Sequence, residues 1–141
     1  MNLVDQLLKV DAKKADELET SVFKSKKLAK VLGLKEPTVD VEIREVKSRR
    51  VSDIMSYQFN KKGDFDFGKA YDAKLMMCIE GVTNPDLRDK HLQEHFEVSD
   101  AKALCEKLFG NEITDLSDAI ATLSGVNSEE DEDEEDEIKN S

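Results

Sequence analysis

Apolar residues recur along the chain with two different spacings. Val39, Val41 and Ile43 alternate with polar residues, and this period of two predicts a β-strand with one buried face. Elsewhere the apolar positions recur at intervals of three and four, which predicts amphipathic helices. We expect these helices at residues 3–8, 28–32, 51–59, 67–79, 92–96, 101–109 and 113–123, and a second short strand at residues 22–24.

Glycine, proline and capping residues set the ends of these elements. Gly33 is placed for the left-handed position that closes a helix, and Pro37 prevents that helix from resuming. Gly110 and Gly125 are expected to end the last two helices. The residues placed to cap helix N-termini are Ser48, Asp64 or Asp66, and Ser99 or Asp100.

The helix predicted at residues 67–79 is the most apolar of the set. At intervals of four, four, three and one, its predicted inner face carries Phe67, Tyr71, Leu75, Cys78 and Ile79. Met76 and Met77 extend the apolar surface around much of the circumference. We therefore expect this helix to lie at the centre of the core.

These patterns predict an α+β fold that is mainly α-helical, with a small N-terminal sheet packed with a helical bundle. Residues 1–20 combine one short helix with a charged stretch that has little to bury, which predicts a loosely tethered arm. Residues 21–125 are expected to form the domain. Residues 126–141 are expected to be a disordered acidic tail.

Charge and hydropathy narrow the classes of function. The 141 residues carry a formal net charge of -11, but residues 129–137 are nine consecutive acids, and residues 1–125 hold 23 acids and 20 bases. The basic groups at residues 24–30 and 47–50 are too short for a groove that neutralises phosphates, so nucleic-acid binding is disfavoured. No apolar run approaches the roughly 20 residues of a membrane span, and no signal peptide is expected.

The two cysteines, Cys78 and Cys105, each lie among apolar neighbours at helical spacing. A free thiol in that position behaves as a small buried hydrophobe. We therefore expect two core thiols, no disulfide framework and a reducing compartment.

The strongest enzymatic motif is His91, Glu94 and His95, which fits the H-x-x-E-H pattern of inverted zinc peptidases. Two histidines four residues apart on a helix could chelate zinc while the glutamate activates a bound water. The chain has no further histidine, so a carboxylate such as Glu106 or Glu112 would have to be the third ligand. Short patterns of common residues recur by accident, so we favour exposed polar positions and expect no metal and no cofactor. A zinc-dependent hydrolase is the alternative function.

The acidic run at residues 129–137 allows three interpretations. It lacks the glycine with which a calcium-binding loop folds back on itself. A nucleic-acid mimic would lose all partner binding when the run is deleted. A solvated tail that keeps the protein soluble would leave most binding intact, and it is the interpretation we favour.

One apolar-rich region has features of a binding surface as well as of a core. Methionine is unbranched and adaptable, so a methionine-lined groove can accept varied helices, although simple core packing is the favoured alternative. The candidate partner-binding residues are Met55, Phe59, Phe65, Met76 and Met77.

The order of several segments resembles that of the XkdN-like phage tail assembly chaperones. In the N-terminal half these segments are NLVDQLL at residues 2–8 and KLAKVLG at residues 27–33, before the strand. The more specific part reads IEGV, NPDL and DKHL between residues 79 and 92 and ends at Phe96. ALCEKLF, NEI and LSG follow between residues 103 and 125. None of these is a catalytic signature, and the acidic tail departs from the family pattern.

This resemblance implies a non-enzymatic protein of a phage, a prophage or a phage-tail-like bacteriocin, made in the host bacterial cytoplasm. Such a protein is needed while the tail is built and is absent from the finished particle. The implied client is the tape measure protein, a long helical chain with apolar segments, and the tail tube protein is a second candidate partner. The chaperone would act as a homo-oligomer or in several copies along the client.

Overall fold

The computed structural model describes residues 2–126. Seven α-helices and three β-strands are present in this range. The helices are α1 (Leu3–Leu7), α2 (Lys26–Leu32), α3 (Ser48–Tyr57), α4 (Phe67–Gly81), α5 (Lys90–His95), α6 (Ala101–Phe109) and α7 (Ile113–Leu123). The strands are β1 (Thr20–Ser25), β2 (Val39–Arg44) and β3 (Val82–Asn84), and short 3-10 helices occupy Ala12–Asp16 and Gly110–Glu112.

The three strands form one antiparallel sheet in the order β1-β2-β3. Phe23 of β1 lies opposite Val41 of β2, and Val41 and Ile43 are buried, so the alternating pattern does place one face in the core. Helix α7 packs against β1 and β2. The predicted α+β fold, mainly helical with a small sheet, is confirmed. The predicted tail lies outside the described residues, apart from Val126.

Helix α4 is the central helix, as predicted, and it contacts α3, α6 and α7. Its buried residues begin only at Ala73, however. The prediction that Phe67 and Tyr71 face the core was wrong, because these side chains are 84% and 43% exposed. They belong to the first two turns of α4, before the buried stretch that begins at Ala73.

Both cysteines are free and buried, as predicted. The Cys78 Sγ atom lies 3.8 Å from the carbonyl oxygen of Ile113. A hydrogen bond with Cys105, and then burial, raise the pKa of the Cys78 thiol. A protonated, buried thiol is a poor nucleophile, so this cysteine is a packing residue.

A carboxylate on one side of the fold holds the start of α2. Ser25, the N-cap of α2, accepts from the Leu28 amide at 3.0 Å and donates to Glu112 Oε1 at 2.8 Å. The Lys26 and Lys27 amides donate to Glu112 at 3.0 and 2.9 Å. These amides would otherwise be unpaired at the helix end, so Glu112 joins the β1–α2 junction to the start of α7.

We expect Glu112→Gln to lower the free energy of unfolding by about 1–2 kcal/mol. The amide keeps the size of the side chain but loses the charge, and its nitrogen cannot accept from a backbone amide. Urea denaturation of both proteins measures the difference. Asp115→Asn is the control, because Asp115 is an exposed acid three residues further along. An equal loss in the two variants would contradict the assigned role of Glu112.

Candidate partner-binding surface

A short hairpin joins α3 to α4 and is closed by backbone hydrogen bonds. Asp66 N donates to the Gln58 carbonyl and Asn60 N to the Asp64 carbonyl, both at 2.8 Å. The Asn60 side chain also accepts from the Lys62 and Asp64 amides at 2.9 and 3.0 Å. We call residues 58–67 the aromatic hairpin. Its backbone is held by these bonds, so the direction in which each side chain leaves the backbone is defined.

Three phenylalanines project from the aromatic hairpin. Phe59 and Phe65 lie opposite each other in an antiparallel bridge, with ring centroids 5.9 Å apart. Phe67 meets Phe65 edge to face at 5.0 Å. The three side chains are 50%, 45% and 84% exposed, respectively. Clustered, preorganised aromatic rings on a surface are typical of protein-binding sites.

Neighbouring side chains extend this surface and fix its edges. Gln58 Nε2 lies 3.3 Å from the sulfur of Met55, which is 44% exposed, and Lys69 Nζ lies 5.5 Å from the Tyr57 ring centroid. Burial, and then the Glu106 carboxylate, raise the pKa of Tyr71. Its hydroxyl therefore stays protonated.

The structure separates the five predicted binding residues into two groups. Met55, Phe59 and Phe65 are exposed on α3 and on the aromatic hairpin. Met76 is partly buried against the core, and Met77 is a core residue with 5% of its surface exposed. Met77 shares the face of α4 that carries Ala73 and Gly81, both buried, so it does not reach a surface groove.

Phe67 is the member of the surface that the sequence analysis missed. Helical spacing assigned it to the inner face of α4, but Asp66 caps the helix and makes Phe67 its first residue. The signal that could have found it is the separation of two residues from Phe65. In extended backbone that separation places two side chains on one side.

A second apolar surface is found on α1. Asn2 caps this helix by accepting from the Val4 amide at 3.0 Å, and none of its residues is buried. The exposed apolar side chains here are 63–80% accessible and comprise Leu3, Val4 and Leu7 of the helix and Leu8 directly after it. The mobility predicted for the arm at residues 1–20 stays a prediction.

The zinc motif lies on α5 with its polar residues facing outwards. His91, Glu94 and His95 are exposed, and the His95 ring meets Phe96 edge to face at 5.1 Å. The inner side of α5 carries Gln93, whose Nε2 donates to the Leu87 carbonyl at 2.9 Å. Within residues 2–126, no three His, Cys, Asp or Glu side chains come together as metal ligands. The histidines therefore gain no third ligand in that range.

A solved crystal structure has a fold similar to that of this chain. Among residues 2–126, no helix combines the length and apolar character that crossing a bilayer requires. The search of curated proteins gave no match. The crystal structure of the protein YqbN, a structural genomics target, is similar with a TM-score of 0.55 and 13% identity, over 79% of this chain and 90% of that one. At that identity the similarity shows the fold alone.

A match to a family model assigns the chain to a protein family. The model described as the phage XkdN-like tail assembly chaperone protein matches residues 4–139. The resemblance seen in the sequence is therefore confirmed, and the match also includes residues 129–137, which that resemblance left outside the family pattern. The chain belongs to the phage XkdN-like tail assembly chaperone family.

Proposed function

We propose that this tail assembly chaperone binds the tape measure protein in the host cytoplasm and keeps it soluble until tail tube subunits surround it. Family membership supports a client that belongs to the phage tail. The observation that carries the proposal is the aromatic hairpin, with Phe59, Phe65 and Phe67 exposed together. A binding role without catalysis is part of the proposal.

The chemistry of the aromatic hairpin suits a helical client with apolar stripes. Aromatic rings bury a large area for few rotatable bonds, so each contact is favourable at low entropic cost. Amphipathic helices present apolar residues at intervals of three and four, and such stripes dock against apolar surfaces. Met55, at the end of α3, adds an adaptable side chain nearby.

The surroundings of the hairpin also suit reversible binding. Lys61, Lys62 and Asp64 lie within the turn and are exposed, which keeps the apolar cluster small and rimmed by charge. A small patch gives a weak contact per copy. Several copies along one long client would still hold it by multivalency, and each copy could be displaced during assembly.

The test is co-expression with the tape measure protein from the same phage gene cluster. We expect that protein to be mainly insoluble when expressed alone and to move into the soluble fraction when this chain is present. Quantified fractions of the same lysate measure the shift. A client that is equally soluble with and without the chain would overturn the proposal.

A further inference from the structure

A cleft of about 720 Å³ lies beside β1, α2 and the start of α7. Lys24, Lys26, Lys27 and Lys30 line it, together with the acids Glu112 and Asp115. We call it the lysine cleft. It lies on elements different from those of the aromatic hairpin and plays no part in the proposed function.

The charges of the lysine cleft are unevenly compensated. Lys24 pairs with Asp40 at 2.9 Å, where both side chains are largely exposed. Glu112 accepts from Ser25 and from two backbone amides, as described above. Within residues 2–126, none of the four salt bridges includes Lys26, Lys27 or Lys30. Three cations therefore face the cleft without an ion pair from that range.

We propose that the lysine cleft is a binding site for an acidic peptide and that its occupant is residues 129–137 of the same chain. The run carries nine consecutive carboxylates, whereas residues 1–125 are nearly balanced. Attraction between an acidic segment and three lysines without an ion pair lowers the Coulomb energy of the contact. Charge complementarity therefore specifies an acidic segment as the occupant.

The chain is long enough to make this contact. Helix α7 begins beside Glu112 at the cleft, has 11 residues and therefore spans about 16 Å. It ends next to Val126, whose amide donates to the Ala121 carbonyl at 2.8 Å. An extended chain covers about 3.3 Å per residue, so residues 127–137 can span roughly 36 Å and return along α7. Tethering gives an effective concentration in the millimolar range, at which a weak site is occupied.

A second basic group lies nearer to Val126 but is less suited to the acidic run. The Val46 amide donates to Ser124 Oγ at 2.8 Å, which places residues 44–50 beside the end of α7. Arg50 and Arg44 are bound to the Glu80 carboxylate and carbonyl at 2.9 and 3.4 Å. The cavity there has three bases and three acids. The lysine cleft is therefore the preferred site.

The test compares amide NMR spectra of the full chain with those of a variant in which every acid of residues 129–137 is changed to Gln or Asn. We expect chemical-shift differences at residues 23–30 and 110–115, and little change at residues 44–50. Salt screens interactions between charges: the Debye length is about 8 Å at 0.15 M ionic strength and becomes shorter as salt is added. The differences should therefore fall by more than half at 0.5 M NaCl.

Matched lysine variants localise the site. In Lys26→Gln/Lys30→Gln, which changes two exposed side chains, the tail-dependent shifts at residues 23–30 and 110–115 should fall at least threefold. Lys47→Gln/Arg49→Gln also changes two exposed cations and should leave those shifts unchanged.

Three outcomes would overturn the proposal. Tail-dependent shifts centred on residues 44–50 would place the acidic run on the other basic group. Absence of any tail-dependent shift would remove the contact. Shifts that grow with protein concentration would show a second copy as the occupant. None of these measurements uses a client, so the result is independent of the chaperone assay.

Discussion

Replacing Phe59, Phe65 and Phe67 together by serine is expected to weaken client binding at least tenfold. Phe65 contacts both of the other rings, and the three side chains are 45–84% exposed, so a partner that covers them buries most of their area. Central aromatic residues of an interface each contribute about 2 kcal/mol or more, and 1.4 kcal/mol is a tenfold change in affinity. Titration of purified client segments with each chaperone variant measures the dissociation constant.

Two controls separate loss of binding from loss of folding. Phe67→Ser alone removes the most exposed ring and should weaken binding with no measurable change in the thermal midpoint. Val22→Ser, Val31→Ser and Leu32→Ser together change three apolar side chains that are 43–57% exposed elsewhere, and they should leave binding intact. Equal weakening in this control and in the triple phenylalanine variant would show that the aromatic hairpin is not the binding site.

Gly81→Ala is expected to destabilise the protein by about 2–3 kcal/mol. A Cβ atom at position 81 would lie 2.5 Å from Ile120 Cγ2 and 2.8 Å from Cδ1, far inside van der Waals contact. Ile120 is fully buried and β-branched, so its side chain has little room and little rotamer freedom to move. Glycine at this position lets α4 approach α7 closely. Chemical denaturation gives the change in the free energy of unfolding.

A second glycine in the same helix is the matched control. At Gly68, the nearest atom to a new Cβ is Asp66 Oδ1 at 3.3 Å, on a side chain outside the core. Gly68→Ala should therefore be neutral or stabilising by up to about 1 kcal/mol, because alanine favours the helix. In an Ile120→Ala background, which removes the clashing atoms, Gly81→Ala should cost little. Additive losses in the double variant would contradict the steric explanation.

Local pattern predicted most of the helices and the central strand. The alternation around Val41 was sufficient for β2, and Asp66 and Asp100 do cap α4 and α6. Ser48 does not cap α3, because it is the first helical residue and Lys47 precedes it without a side-chain bond. Strand β3 was missed because its three residues follow α4 directly and have no period of their own.

Local sequence pattern could not predict interactions between residues that are far apart in the sequence. Glu112 holds the start of α2 across 85 to 87 residues of sequence, so no spacing rule connects them. The same limit applies to the candidate binding residues. Met55, Phe59 and Phe65 were predicted as members of an apolar-rich region, but the sequence could not tell that α4 turns Met77 inwards and leaves Phe67 outside. That distinction depends on which elements cover the first turns of α4.

Affinity purification of the tagged chain, co-expressed with the tape measure protein of its own gene cluster, tests the central claim most directly. We expect soluble tape measure protein to co-purify with the unchanged chain, in more than one copy of chaperone per client, and to be lost from the eluate with the triple phenylalanine variant. Failure of the client to co-purify with the unchanged, folded chain would contradict the claim that this chaperone acts on the tape measure protein.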